Sequence, residues 1–127
     1  MKTRITDLFD IAVPIVQAPM AGVSTPELAA AACNAGALGS LALAAADAAS
    51  AKTQIQAVRT GTNRPFNVNF FCHEAPNRDA AKEAAWIEKL TPKMAEFDAE
   101  PPSKLDAIYT SFNDNDDLFD LIQEKLN

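Results

Sequence analysis

The sequence predicts an α/β protein built on a parallel sheet. Three observations carry that prediction. Apolar runs of strand length lie at 13–18, 38–44 and 66–71. Between them run two segments with helix-start signals and helical spacing of apolar residues. The links are only a few residues long, a rhythm that implies right-handed strand–helix–strand crossovers.

Taken in order, Val13 to Ala18 is apolar apart from Gln17, as expected of a parallel strand covered on both faces. It breaks off at Ala18-Pro19-Met20-Ala21-Gly22, where Pro19 has no N–H to give a sheet. Ser24 followed by Glu27 three residues on reads as a capping box, with Pro26 placed in the first turn. The helix then runs through ELAAAACNAG to Gly36, a residue suited to a left-handed C-terminal position. Leu38 to Ala44 is the second strand. Asp47 can cap a second helix, in which Ala48, Ala51, Ile55 and Val58 recur at helical spacing before Gly61. Phe66 to Phe71 is the third strand. The Ala-rich stretch 42–51 reads as close helix packing.

The second half has a different character. RDAAKEAAWIEKL is strongly helical, with Trp86, Leu90 and Met94 on one side, and Pro92 is expected to kink or end it. AEPPSKLD is a loop. NDDLFDLIQEKLN is an amphipathic helix with Leu118, Leu121, Ile122 and Lys125–Leu126 on one face and Asn115 or Asp116 as its cap. The acidic residues at its start suit the helix dipole, so they read as a solvated helix end and not as a metal site.

Composition bounds the function. The 127 residues are 48% hydrophobic and 22% charged, as in an ordinary globular protein, and the net charge is -6. Residues 1–73 carry five Lys/Arg and four Asp/Glu, whereas 74–127 carry six and thirteen, so the acidity belongs to the second half. That balance disfavours nucleic acid and anionic membrane as partners. Cys33 and Cys72 are the only cysteines and lack a paired spacing, which fits a reducing compartment. No apolar run approaches the ~20 residues of a membrane span, and MKTRITDLFD lacks the apolar core of a signal peptide. The expected location is cytoplasmic.

Two polar residues interrupt the third strand. Side chains alternate, so Phe66, Val68 and Phe70 face one way while Asn67, Asn69 and Phe71 face the other. In a strand covered on both faces each amide needs a partner, because an unpaired one costs ~1–3 kcal/mol. For Asn67 the candidates are Asn69, Gln17 or neighbouring backbone. Asn69 lies nearer the C-terminal end of the strand, where ligands bind in open α/β sheets and in closed barrels alike. A structural role and ligand contact both fit it. Ala18, Pro19 and Met20 also end a strand, and there small residues would let a flat ligand approach the main chain. The plainer reading of the same stretch is a strand-to-helix turn.

PIVQAPMAGVSTPELAAAACNAGALGSLALA resembles the N-terminal motif of the nitronate monooxygenases, formerly called 2-nitropropane dioxygenases, and RPFNVNFF resembles their third strand. The resemblance spans roughly residues 11–73, and HEAPNRDAAKEAAWIEKLTPKMAEF looks like an insertion found in one branch of the family. It implies the first three βα units of a TIM (β/α)8 barrel over 1–73. An acidic helical insertion over 74–127 would then lead toward a fourth strand. It also implies a flavoprotein that binds FMN and uses O2 to convert alkyl nitronates to carbonyl compounds and nitrite. Ala18, Pro19 and Met20 would line the isoalloxazine ring and Asn69 would contact the flavin.

Departures from the family pattern set further expectations. Ala37 and Ala42 stand where Gly is frequent, and Cys33 occupies a position of small residues and reads as packed core. A (β/α)8 barrel takes ~250 residues, so the 127 present are expected to need a remaining barrel segment or a second chain, and to be inactive alone. The family's catalytic base is a histidine in a segment resembling Ser-Phe-His-Phe-Gly, which is expected beyond residue 127. His73 is read as a polar loop residue, so no catalytic residue is assigned within the chain. The alternatives are a flavin-dependent enoyl reductase of the same barrel superfamily and a truncated, non-catalytic fragment.

Overall fold

The computed structural model describes residues 2–126, with side chains described as far as Glu124. The chain divides into two units, Met1–His73 together with Tyr109–Asn127, and Glu74–Ile108.

The first unit opens with α1 (Arg4–Phe9), a short helix held by a reciprocal capping box between Thr3 and Thr6. The strand expected over 13–18 is reduced to one parallel bridge, Val16 with Leu38. Leu38 N–H donates to the Ile15 carbonyl at 2.9 Å, and Gln17 N–H donates to the Leu38 carbonyl at 2.8 Å. In a parallel ladder the next rung would pair Ser40 with the carbonyl of residue 17 and the N–H of residue 19. Residue 19 is proline, so the ladder stops there.

The helix α2 (Pro26–Asn34) follows. Its cap is Thr25, whose hydroxyl accepts from Leu28 N–H at 3.2 Å. Ser24, the expected cap, is occupied elsewhere. Gly36 just beyond the helix is left-handed (φ 88°), as its position requires. A Cβ there would also lie 2.8 Å from Ala12 Cβ.

Strands β1 (Gly39–Ala42) and β2 (Phe66–Asn69) pair in parallel, with Gly39 opposite Phe66, Ser40 opposite Asn67 and Ala42 opposite Asn69. Leu43 N–H adds one rung beyond them, to the Asn69 carbonyl at 2.9 Å. The expected order of three parallel, adjacent segments holds, although the first is a single bridge. Between the strands runs α3 (Ala48–Gly61), capped by Asp47, which accepts from Ser50 N–H at 2.7 Å.

Alternation gives the sheet two unlike faces. Leu41 and Leu43, with Phe66, Val68 and Phe70, pack into a core with Ala29, Ala51, Ile55, Val58, Leu118 and Leu121. Burying a side chain the size of leucine stabilises by about 1.5–3 kcal/mol. Ser40, Ala42, Asn67 and Asn69 occupy the other face. Gly39 lets α2 lie directly on β1, since a Cβ there would meet the Ala29 carbonyl oxygen at 2.1 Å.

Residues after 108 rejoin this unit. Phe112 N–H donates to the Phe71 carbonyl at 2.8 Å. The Phe112 ring stacks on Phe70 at 4.7 Å and stands 6.1 Å from Phe119. A 3-10 turn at Phe112–Asp114 leads into α5 (Asp116–Leu126), where Asn115 caps Leu118 N–H at 3.2 Å. Leu118 and Leu121 are buried as the amphipathic pattern predicts. The side chains of Lys125 and Leu126, expected on the same face, lie outside the described residues.

The second unit is dominated by α4 (Ala80–Ala95), capped by Asp79. Pro92 does not end it. The hydroxyl of Thr91 donates to the Ile87 carbonyl at 2.8 Å next to the place where the ring interrupts the ladder. No residue of α4 is buried, and Trp86 and Leu90 are exposed. Lys89 covers the Trp86 ring at 4.8 Å.

Candidate functional site

The C-terminal ends of the Val16 segment, β1 and β2 point the same way because all three run parallel. The candidate residues Ala18, Pro19, Met20 and Asn69 all lie at that edge of the sheet. None of them is on a helix. The chain leaves the sheet at each of these points.

The turn at 18–20 is held by side chains rather than by a ladder. Gln17 accepts from Ser40 N–H through Oε1 at 2.8 Å, so its amide takes the rung that its own carbonyl would have filled. Its Nε2 donates to Ser24 Oγ at 2.9 Å and also to the Ala18 carbonyl. Ser24 Oγ donates to the Ala18 carbonyl at 2.9 Å and accepts from Met20 N–H at 2.8 Å. The Met20 carbonyl in turn accepts from Val23 and Ser24 N–H. Among the described residues nothing donates to the Pro19 carbonyl and nothing accepts from Ala18 N–H. The turn therefore presents one free donor and one free acceptor of the main chain, beside the half-exposed side chain of Met20.

The two asparagines separate cleanly. Asn67 Nδ2 donates to Ser40 Oγ at 3.3 Å across the ladder, so its partner is the neighbouring serine rather than Gln17, Asn69 or backbone. Asn69 sits one step further toward the edge, opposite Ala42, whose methyl group offers no hydrogen bond. Its side-chain amide has no partner among the described residues. Both are half-buried, because the polar face of β2 is not fully covered. A groove of about 410 Å³ adjoins the turn, lined by Gly22, Ser24, Thr25, Ala42, Ala45 and Gln54 among others.

The remaining sequence candidates fall into structural roles. Cys33 is buried against β1, accepting from Gly39 N–H and donating to the Pro65 carbonyl, both at 3.3 Å. His73 is exposed, with its ring edge-on to Phe71 at 6.5 Å. No group of acidic, histidine or cysteine side chains able to hold a metal occurs among the described residues. No helix there is long and apolar enough to cross a membrane. Ser40 escapes sequence reasoning, and Ser24 reads there only as a helix cap. The available signal was a lone glutamine in an apolar run ahead of a proline, which marks a strand end rebuilt by side chains.

A parallel α/β sheet with a side-chain-braced turn and an unpaired amide at its C-terminal edge has the form of a small-molecule site in an α/β enzyme. Comparison with known proteins makes this specific. The nitronate monooxygenase family profile matches residues 2–112. A nitronate monooxygenase of Pseudomonas aeruginosa is 49% identical over 125 residues, 98% of this chain and 36% of that protein. One from Paraburkholderia phytofirmans is 51% identical over 111 residues, 87% of this chain and 30% of that protein. Among solved structures, the nitroalkane oxidase of Streptomyces ansochromogenes superimposes with a TM-score of 0.65 at 35% identity, covering 98% of this chain and 33% of that one. A FabK mutant from Thermotoga maritima gives a TM-score of 0.63 at 27% identity, covering 98% and 30%. The chain belongs to the nitronate monooxygenase family of oxidoreductases. It spans about a third of the length of the curated relatives it matches.

Proposed function

We propose that the chain forms one wall of an FMN site in a cytoplasmic nitronate monooxygenase. The observation that carries this reading is the pairing of the braced turn at Ala18–Met20 with the unpartnered amide of Asn69 at one sheet edge. The residues present fit a planar heterocycle. Ala18 and Ala42 are small, the Pro19 carbonyl is unbonded among the described residues, and Asn69 offers both a donor and an acceptor. When bound, FMN would take up electrons from an alkyl nitronate and pass them to O2, the products being a carbonyl compound and nitrite.

The chain's own part is binding and orientation. Ala18, Pro19 and Met20 would lie against the ring and exclude water from it, and Asn69 would hydrogen-bond its edge. No group in this wall is assigned to move the substrate proton. The architecture that accommodates these elements is a sector of a (β/α)8 barrel, whose ligand sites lie at the C-terminal ends of the strands.

The test is the visible spectrum and oxygen chemistry of the whole protein. A flavin absorbance after purification, with nitrite released from an alkyl nitronate in the presence of O2, is the expected result. A colourless protein that takes up no added FMN would overturn the reading. A flavoprotein that reduces an enoyl substrate but leaves nitronates untouched would support the flavin-dependent enoyl reductase instead. Among the solved structures, the 35% identity to nitroalkane oxidase against 27% and 31% to two FabK structures, together with the 49% identity to a nitronate monooxygenase, favours the first outcome.

A further inference from the structure

We propose that Ser24, assisted by Gln17, is a positioning residue that sets the conformation of the Ala18–Met20 turn for its planar ligand, an inference that rests on the flavin reading above. The hydroxyl of Ser24 has one proton to donate and two lone pairs to accept with. All three are engaged: the proton goes to the Ala18 carbonyl, and the lone pairs receive Met20 N–H and Gln17 Nε2. Ser24 is buried and has nothing left to offer a ligand directly. It acts instead on which main-chain groups the turn exposes. By binding the Ala18 carbonyl and Met20 N–H, Ser24 fixes where the chain leaves the sheet, with the Pro19 carbonyl unbonded among the described residues.

Proline makes this brace necessary. A turn with Pro19 at its centre cannot be fixed by a rung from residue 19, so the ladder cannot hold it. Gln17 supplies the link from the turn to the sheet, since its Oε1 is anchored on Ser40 N–H and its Nε2 on Ser24. The helix cap, which Ser24 would ordinarily provide, is handed to Thr25. Two adjacent hydroxyl residues thus divide two tasks, one capping the helix and one bracing the turn.

The experiment compares wild-type protein with Ser24→Ala and Ser24→Thr, reading hydrogen exchange at the Met20 amide, thermal unfolding, and FMN titration followed by fluorescence and visible circular dichroism. Ser24→Ala should speed Met20 exchange and weaken FMN binding by roughly tenfold, the scale of one lost buried hydrogen bond. The flavin dichroism should change as well. Ser24→Thr keeps the hydroxyl and should restore all three readouts. An unchanged Met20 exchange rate in Ser24→Ala would overturn the proposal. So would faster exchange with wild-type FMN affinity and dichroism, since the brace would then not bear on the ligand. Loss of FMN binding that merely tracks a general loss of fold, and is not restored by Ser24→Thr, would also overturn it. A whole wild-type protein, barrel remainder included, that binds no FMN would instead sink the flavin reading, which the exchange data keep distinct from failure of the brace.

Discussion

Gln17 Oε1 accepts the Ser40 N–H at 2.8 Å, so a side chain completes a rung of the sheet that the main chain has abandoned. Ser40 is fully buried, and its N–H has no access to water. Removing the acceptor orphans a buried donor, which costs about 1–3 kcal/mol. Gln17→Leu should therefore lower stability by that amount, seen as an earlier thermal or urea transition. Gln17→Glu keeps an acceptor for Ser40 but cannot donate to Ser24, so it should hold the sheet better than the turn. Equal destabilisation by Leu and Glu would show that the Ser40 bond is not what matters.

Gly39 makes the close packing of α2 on β1 testable. A Cβ at this position would stand 2.1 Å from the Ala29 carbonyl oxygen and 2.8 Å from Cys33 Sγ. Backbone of α2 must move to admit it, and overpacking of this kind costs ~1–3 kcal/mol or more. Gly39→Ala is expected at or above the top of that range. At Gly22 nothing lies within 4 Å, but φ is 74°, so Ala there meets only left-handed strain of roughly 1–2 kcal/mol. Comparing the two variants by denaturant unfolding checks the order. A larger loss for Gly22→Ala would mean that α2 yields easily.

The thiols should divide by environment. Cys33 bridges Gly39 N–H and the Pro65 carbonyl from a fully buried position, whereas Cys72 is exposed. A thiol reagent applied to native protein and mapped by mass spectrometry should label Cys72 within minutes and Cys33 only on unfolding. Fast labelling of Cys33 would contradict the packing of α2 on β1.

How much of this was legible in the sequence follows the range of the interactions. Asp47, Asn115 and Gly36 act on backbone within a few residues, and each plays the part its local pattern predicts. The 13–18 segment departs from a strand covered on both faces because Ile15 and Val16 stay exposed and because a ladder needs N–H groups that Pro19 lacks. Ser24 departs from its pattern for a related reason: it alone has a glutamate three residues on, but Thr25 caps the helix while Ser24 is engaged by Gln17, seven residues away. Asn67 found Ser40, a partner fixed by strand register across 27 residues, which no local pattern encodes. The return of Phe112 onto Phe70 is likewise a long-range event.

The N-terminus of α4 should respond to acid. The hydrogen bond from Arg78 is the main cause holding the Glu83 carboxyl below its ordinary value of 4.5, while backbone and side-chain bonds from Lys82 lower Asp79 from 3.8. A carboxylate whose folded value is lowered contributes stability above its unfolded value and loses it as pH falls through the folded one. Helicity of 80–95 should therefore be flat at neutral pH and decline below about pH 4. Carboxyl chemical shifts of Glu83 and Asp79 give the direct check, and Arg78→Gln should return the Glu83 midpoint toward 4.5. A Glu83 midpoint already at 4.5 in the wild type would remove the pair from the account.

The two asparagines of β2 should fail in different ways. Asn67 is tied to Ser40 Oγ at 3.3 Å, and Asn67→Ala leaves a fully buried serine hydroxyl short of one partner. Its effect should appear as lost stability of about 0.5–1.5 kcal/mol, with FMN affinity close to wild type. Asn69 opposes Ala42 and has no side-chain partner among the described residues, so its truncation removes no bond seen there. Asn69→Ala should leave the unfolding transition within about 0.5 kcal/mol of wild type. If its amide meets the flavin, FMN binding or flavin reduction should fall by roughly tenfold, the equivalent of one buried hydrogen bond. Asn69→Asp keeps an acceptor but loses the donor, so comparing it with Ala tells which half of the amide the ligand uses. Wild-type flavin affinity and reduction rate in Asn69→Ala would remove this residue from the site, leaving the braced turn as its only support in the chain.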